Sequence, residues 1–226
     1  MVGARPLSSS RWRRARWLVI APHADDETLG AGALIAEAAE QGRLAGIVYL
    51  TDGTGSHPHA DAASRARLKA LRRVEALKAC RILTGGRDCP LIFLDWPDAG
   101  PLVPESAGHQ TSVRQLAALC RRRRVDAIAV TSEVEPHCDH AAAGRLAVAA
   151  ARAALRPVAV FDYLVWSETA PPGPVFSTRP INPGRRRAAL AAHRSQLTPV
   201  FGEGFRLPSP RQHMPARDRL YPRARS

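Results

Sequence analysis

The sequence predicts an α/β fold, with a mostly parallel sheet in the middle layer and helices on both faces. Two observations carry this expectation. Apolar strand-like runs alternate with segments of helical spacing along the chain, the order that builds parallel sheets. The runs are also almost continuously apolar, as strands covered on both faces are. The 226 residues suffice for one sizeable core.

The elements follow in order. WLVIAP (17–22) reads as a buried strand. TLGAGALIAEAAEQ (28–41) is rich in alanine and leucine and stops at Gly42, so it reads as a helix. LAGIVYLT (44–51) is a second strand and runs into the loop DGTGSHPH. Residues 61–82 carry apolar positions at helical spacing and end before Gly85-Gly86. LIFLD (91–95) is a third strand, 111–124 a helix and DAIAVTS (126–132) a fourth strand. Residues 140–154 form an alanine-rich helix, VAVFDYLVW (158–166) a further strand and 185–196 a last helix. This frames a domain over 17–205, between a basic, flexible leader (1–16) and a loop-like tail rich in proline and arginine (206–226).

Composition narrows the function classes. Hydrophobic residues make up 45% of the chain, and no apolar run approaches the roughly 18 residues of a membrane span. The basic leader lacks the apolar stretch of a secretory signal. The formal charge is +13, almost all from arginine, since Lys69 and Lys78 are the only lysines. Such a surface attracts nucleic acid, anionic lipid or acidic glycans without specificity. No nucleic-acid module accompanies it, so a solvated face is expected and no specific nucleic-acid partner. Cys80, Cys89, Cys120 and Cys138 form no CxxC pair, which fits a reducing, cytoplasmic setting.

Two clusters carry the chemistry. APHADDETLG brings His23, Asp25, Asp26 and Glu27 together directly after the first strand, and EPHCDH brings His137, Asp139 and His140 together after the fourth. In parallel sheets ligands bind beyond the carboxyl ends of the strands, so both clusters fall on one edge. Imidazoles and carboxylates suit zinc, whose catalytic sites use three protein ligands and leave a position open. A neighbouring carboxylate that is not a ligand then serves as base. Either cluster alone also reads as a helix cap, with Asp139 capping the second, because acidic residues suit a helix N-terminus. No GxSxG elbow, P-loop or GxGxxG is present.

With these motifs the chain resembles the LmbE-like, or PIG-L, family of zinc-dependent N-deacetylases. The family's HPDDE appears as His23-Ala24-Asp25-Asp26-Glu27, and its HPDH as His137-Cys138-Asp139-His140. Its TDG loop is matched by Thr51-Asp52-Gly53, its R-x-x-E by Arg72 and Glu75, and its H-x-SQ by His193, Ser195 and Gln196. The resemblance implies a Rossmann-like three-layer fold. It implies removal of an N-acetyl group from an amino sugar or glycoconjugate, with Zn2+ or another divalent transition metal as cofactor. His23, Asp26 and His140 would hold the metal. Asp25 would be the general base, and His137 would face the oxyanion or protonate the leaving amine. Asp139 would orient one of the histidines, and Arg72 with Asp52 of the TDG loop would meet the sugar hydroxyls. The competing reading is a non-catalytic metal-containing protein that binds a glycan or nucleotide in the same pocket.

Both motif prolines are replaced, by Ala24 and Cys138. Proline there only stiffens the loop, so the ligand set should survive. Thiolate is a good zinc ligand, but Cys138 is expected to point into the packing. Glu27 reads as a residue of the helix start. His57 and His59 read as solvated loop residues, and His193 as a packed helix residue.

Overall fold

A computed structural model describes residues 3–224. Its strands are β1 (Arg5–Pro6), β2 (Trp17–Ala21), β3 (Leu44–Thr51), β4 (Leu91–Trp96), β5 (Ala127–Thr131), β6 (Ala159–Tyr163), β7 (Phe176–Ser177) and β8 (Arg219–Pro222). Its α-helices are α1 (Asp26–Glu40), α2 (Ala62–Leu83), α3 (Ala107–Arg122), α4 (Cys138–Ala153), α5 (Pro183–Ala191) and α6 (Arg194–Leu197). One sheet contains all of these strands in the order β1-β7-β8-β6-β5-β2-β3-β4. The block from β6 to β4 is parallel throughout. β8 runs antiparallel to both of its neighbours.

Alternation along the central strands builds two cores. Val19, Ala21, Ile47 and Tyr49 face the side covered by α1, α2 and α5. Leu18, Ile20, Val48 and Leu50 face α3 and α4. On β5, Ala127 and Ala129 turn to the α1 side, and Ile128 and Val130 to the other. Strands buried on both faces need apolar residues at every position, which is why these runs do not alternate with polar residues.

From β2 the chain first builds outward through β3 and β4, then crosses back to place β5 on the other side of β2. The loops after β2 and β5 therefore diverge at a topological switch point, where open α/β sheets form their binding crevice. These two loops carry the His23 and His137 clusters.

The two ends of the chain depart from the expected flexible leader and loop-like tail. In the leader Leu7 and Ala15 are buried, and Trp12 stands edge-on to Phe161 at 5.0 Å. In the tail β8 completes the sheet, and Asp218 is buried against Arg186 at 2.7 Å. Arg186 also donates to the carbonyls of Thr28, Leu29 and Pro215. Arg185 reaches the last carbonyls of α2, at Ile82 and Leu83. Two members of the 185–187 arginine run thus serve as internal clamps, not as solvated charge. The single helix expected over 185–196 is broken at His193, whose backbone leaves the helical region at ψ 57°.

Candidate active site

The apolar end of β2 delivers a loop whose residues cannot stay in the sheet, and Asp26 opens α1 immediately after it. Asp25 adopts φ 136°, a conformation costly for a residue with a Cβ. Its carboxylate does not cap α1. Glu27 does the local work instead. Its Oε2 accepts from the Asp25 amide at 2.9 Å, and its Oε1 from the Thr28 hydroxyl at 2.7 Å. The same Oε1 lies 2.9 Å from His193 Nε2, so His193 is buried and structural. In the second cluster the cap of α4 is His137, whose Nδ1 accepts from the Asp139 amide at 3.2 Å. Asp139 therefore does not cap α4, the alternative reading of this cluster, and its carboxylate turns to other partners.

The loops converge. His23 lies 4.8 Å from His137 and 5.5 Å from His140, ring centre to ring centre. Asp26 Oδ2 is 3.2 Å from His23 Nδ1 and 3.3 Å from His140 Nε2. The other face of His23, Nε2, meets Asp139 Oδ2 at 3.1 Å and Asp98 Oδ1 at 3.2 Å. His140 Nδ1 faces Glu135 Oε2 at 3.5 Å. Both ring nitrogens of His140 are buried and lack a well-formed hydrogen bond among the described residues. A buried imidazole left so is what a metal ligand looks like without its metal, and two imidazoles with a carboxylate suit zinc or a similar divalent ion. His23, Asp26 and His140 are close enough to share one ion. His23 could also join Asp98, His137 and Asp139. In that second grouping, however, Asp98 already accepts from the Gly55 amide at 2.9 Å and Asp139 from the Ala99 amide at 2.9 Å.

The charges follow from this crowding. Burial works against a proton on His23, but its hydrogen bonds to Asp139, Asp26 and Asp98 raise its pKa well above the usual value. Burial likewise opposes a charged His140, yet the Asp26 carboxylate raises it to about 9. Burial would raise Asp26, but His140 and His23 hold its carboxyl far below the ordinary range. Asp25 is pushed up to about 7, first by burial and then by the Asp26 charge. His137 is lowered by burial and by His23. Its Nδ1 is occupied as an acceptor, so the neutral ring carries its proton on Nε2.

His23, Asp25, Asp26, Asp98 and His137 line a cavity of about 390 Å3. Arg72 lines it, but its terminal nitrogens hold the loop after β3, donating to the Gly53 carbonyl and, at 2.9 Å, to Ser56 Oγ. Asp52 is not part of the cavity wall. Its Oδ1 accepts from the Thr54 amide at 3.0 Å and hydroxyl at 2.9 Å, and it faces a neighbouring depression. His57, expected in solvent, is buried against the side of Gly204 and bonds Ser56 Oγ at 2.9 Å. Cys138 is exposed and hydrogen-bonds Asp139 Oδ1 at 3.8 Å. Sequence reasoning missed Asp98 and assigned nothing to Glu135. Glu135 was visible within EPHCDH, whereas Asp98 stands alone in a loop with no pattern around it.

Comparison with known proteins decides the family. The profile of PIG-L, described as GlcNAc-PI de-N-acetylase, matches residues 18–151. The chain belongs to the PIG-L family. None of the curated proteins matches it. Among solved structures, the conserved protein TT1542 from Thermus thermophilus is 33% identical over 80% of each chain, with a TM-score of 0.59. The N,N'-diacetylchitobiose deacetylase from Pyrococcus horikoshii has a TM-score of 0.65 at 21% identity, over 84% of this chain and 74% of its own. The zinc-inhibited form of the teicoplanin deacetylase Orf2 has a TM-score of 0.62 at 18% identity, over 92% and 97%. These last two likenesses establish the shared fold. The PIG-L match includes both histidine clusters and stops before β6, so Trp166, His193, Gln196 and Phe205 lie outside it.

Proposed function

We propose that the protein is a metal-dependent N-deacetylase acting on an N-acetylated amino sugar or a conjugate carrying one. The observation that carries this reading is the convergence of His23, Asp26 and His140, with the neighbouring Asp25 buried and its carboxylate not used to cap α1. His23 Nδ1, the Asp26 carboxylate and His140 Nε2 would hold zinc or another divalent transition metal. When bound, the metal supplies Lewis acidity, which polarises an amide carbonyl and makes water nucleophilic near neutral pH.

The chain's own residues perform the remaining work. Asp25 accepts the proton of the attacking water as general base. His137 presents a neutral Nε2–H to the developing oxyanion, a preorganised donor of the kind that contributes most in acyl hydrolysis. The proton collected by Asp25 then passes to the departing amine. Asp139 and Asp98 hold His23, and Glu135 holds His140, as the outer partners of metal-binding histidines do. Arg72 acts mainly by fixing the loop from Gly53 to Ser56 against the site, and Asp52 stabilises its own turn.

A pocket that only binds sugars would use many of the same contacts, so catalysis must be separated from binding. Acetate release from a panel of N-acetylglucosamine conjugates, before and after chelation and after zinc restoration, makes the test. Metal-dependent release is expected. A metal-loaded protein that binds conjugates and releases no acetate from any of them would leave a non-catalytic glycan-binding protein as the reading.

A further inference from the structure

The sheet ends in two edges that are guarded differently. One edge is β1, only two residues long and containing Pro6. Shortness and proline are usual protections of an edge against stray pairing. The other edge is β4, which reads LIFLDW and has β3 as its one strand neighbour among the described residues. Leu91, Ile92, Phe93 and Leu94 are all partly exposed along it.

The ladder decides which backbone groups are left over. The Ile47 amide donates to the Pro90 carbonyl at 3.0 Å. Bonds to one parallel neighbour use every second residue, so Ile92 and Leu94 also face β3. Leu91 and Phe93 turn their amides and carbonyls away from the sheet. At Asp95, with φ 56°, the regular strand ends. The open edge therefore offers two outward residues placed evenly about Ile92.

Helix α2 above this edge supplies a second observation. Arg73 lies over the Phe93 ring at 4.8 Å, which sets that face of the helix along β4. Residues four apart share a helix face, so Leu77 stands one turn along from Arg73. Leu77 is 55% exposed, and the adjacent Val74 is 45% exposed. Two large apolar side chains beside an unpaired apolar strand make one uncovered seam. Charge is arranged along the seam as well. Lys69 and Arg73 share Asp95, at 3.2 and 2.6 Å, which leaves one positive charge in excess at that end. The exposed Asp88 precedes the strand at the other end.

From these observations we infer that β4 pairs antiparallel with β4 of a second copy, about a two-fold axis through Ile92. Leu91 of each copy exchanges both hydrogen bonds with Phe93 of the other. The axis keeps both α2 helices on one side of the joined sheet, where Val74 and Leu77 of each copy cover those of the other. It also brings Asp88 of each copy toward Lys69 and Arg73 of the other. A second copy suits the seam because a two-fold interface must be self-complementary, and both the strand and its flanking charges are.

Sedimentation and residue-resolved amide exchange test the pairing. Wild type should be a dimer that dissociates on dilution. The Leu91 and Phe93 amides should exchange slowly in the dimer and fast in the monomer, while β3 keeps Ile92 and Leu94 protected in both. Leu77→Glu, at an exposed position, should raise the dissociation constant about tenfold or more with an unchanged monomer melting temperature. Asp88→Arg, also exposed, should shift it in the same direction. A chain that stays monomeric at millimolar concentration would overturn the inference. A dimer whose Leu91 and Phe93 amides exchange as fast as in the monomer would overturn it too, because its copies would join elsewhere.

Discussion

Metal uptake should be strongly proton-linked, and the site geometry sets how strongly. Before the ion arrives, Asp26 faces two imidazoles whose pKa values lie above neutrality, His140 at about 9 and His23 well above its usual value. His140 therefore carries a proton at pH 7 and His23 is shifted toward carrying one, and each such proton must leave before the ring offers that lone pair. Asp26 is ionised throughout, because the histidines hold its carboxyl low. The sign is then fixed: raising the pH removes competing protons and tightens binding. Each displaced proton contributes about tenfold in apparent affinity per pH unit while the pH stays below its pKa. The His140 proton gives about tenfold per unit near neutral pH, a slope that falls as the pH passes about 9, and the His23 proton adds in the same direction. Asp25, near 7, adds a fraction more when the dication approaches. Calorimetric zinc titrations in buffers of different ionisation enthalpy count the protons, and chelator competition gives the affinities. Affinity flat in pH, with no proton release, would refute the assignment of His23 and His140 as the donors.

Other consequences are as specific. Asp25→Asn should retain metal and lower turnover about a hundredfold to ten-thousandfold, the range of a lost general base; acetate release and metal content, measured together, check it. Glu135→Gln removes the charge facing His140 Nδ1 and should weaken metal binding by about tenfold to a hundredfold, read by chelator competition. Gly30→Ala places a Cβ 2.2 Å from the Tyr163 ring, which is itself tied to the Ile20 carbonyl. It should cost about 1–3 kcal/mol, seen as a lower melting temperature. Glu75→Ala strands the buried Ser195 amide and hydroxyl, which both donate to Glu75, and should cost about 1–3 kcal/mol in denaturant unfolding.

What could be read from the sequence was what depends on neighbours in sequence. The strands 17–22, 44–51 and 126–132 announce themselves because burial on both faces demands an unbroken apolar run. The two histidine clusters are legible because a loop between strand and helix packs its ligands within a few residues. Partners recruited one at a time were not legible. Asp98 reaches His23 from the loop that follows β4, and nothing in PDAG marks it. The break at His193 follows from burial of its ring against Glu27, a contact formed across the fold, while the local pattern favours an unbroken helix. RLYP looks like tail because two hydrophobic residues amid prolines and arginines make no periodicity, yet β6 and β7 receive it from either side.

That late strand has a bearing on how the protein is made. Until Pro222 has left the ribosome, the Phe161–Asp162 edge of β6 has no neighbour on its outer side, although every other strand of the parallel block already has its partners. Unpaired edges of this kind are templates for pairing with another nascent chain. Trp12, which precedes β6 in the chain, stands edge-on to Phe161 of that same strand. In the finished fold β6 thus carries both contacts, Trp12 against the Phe161 ring and β8 along its edge.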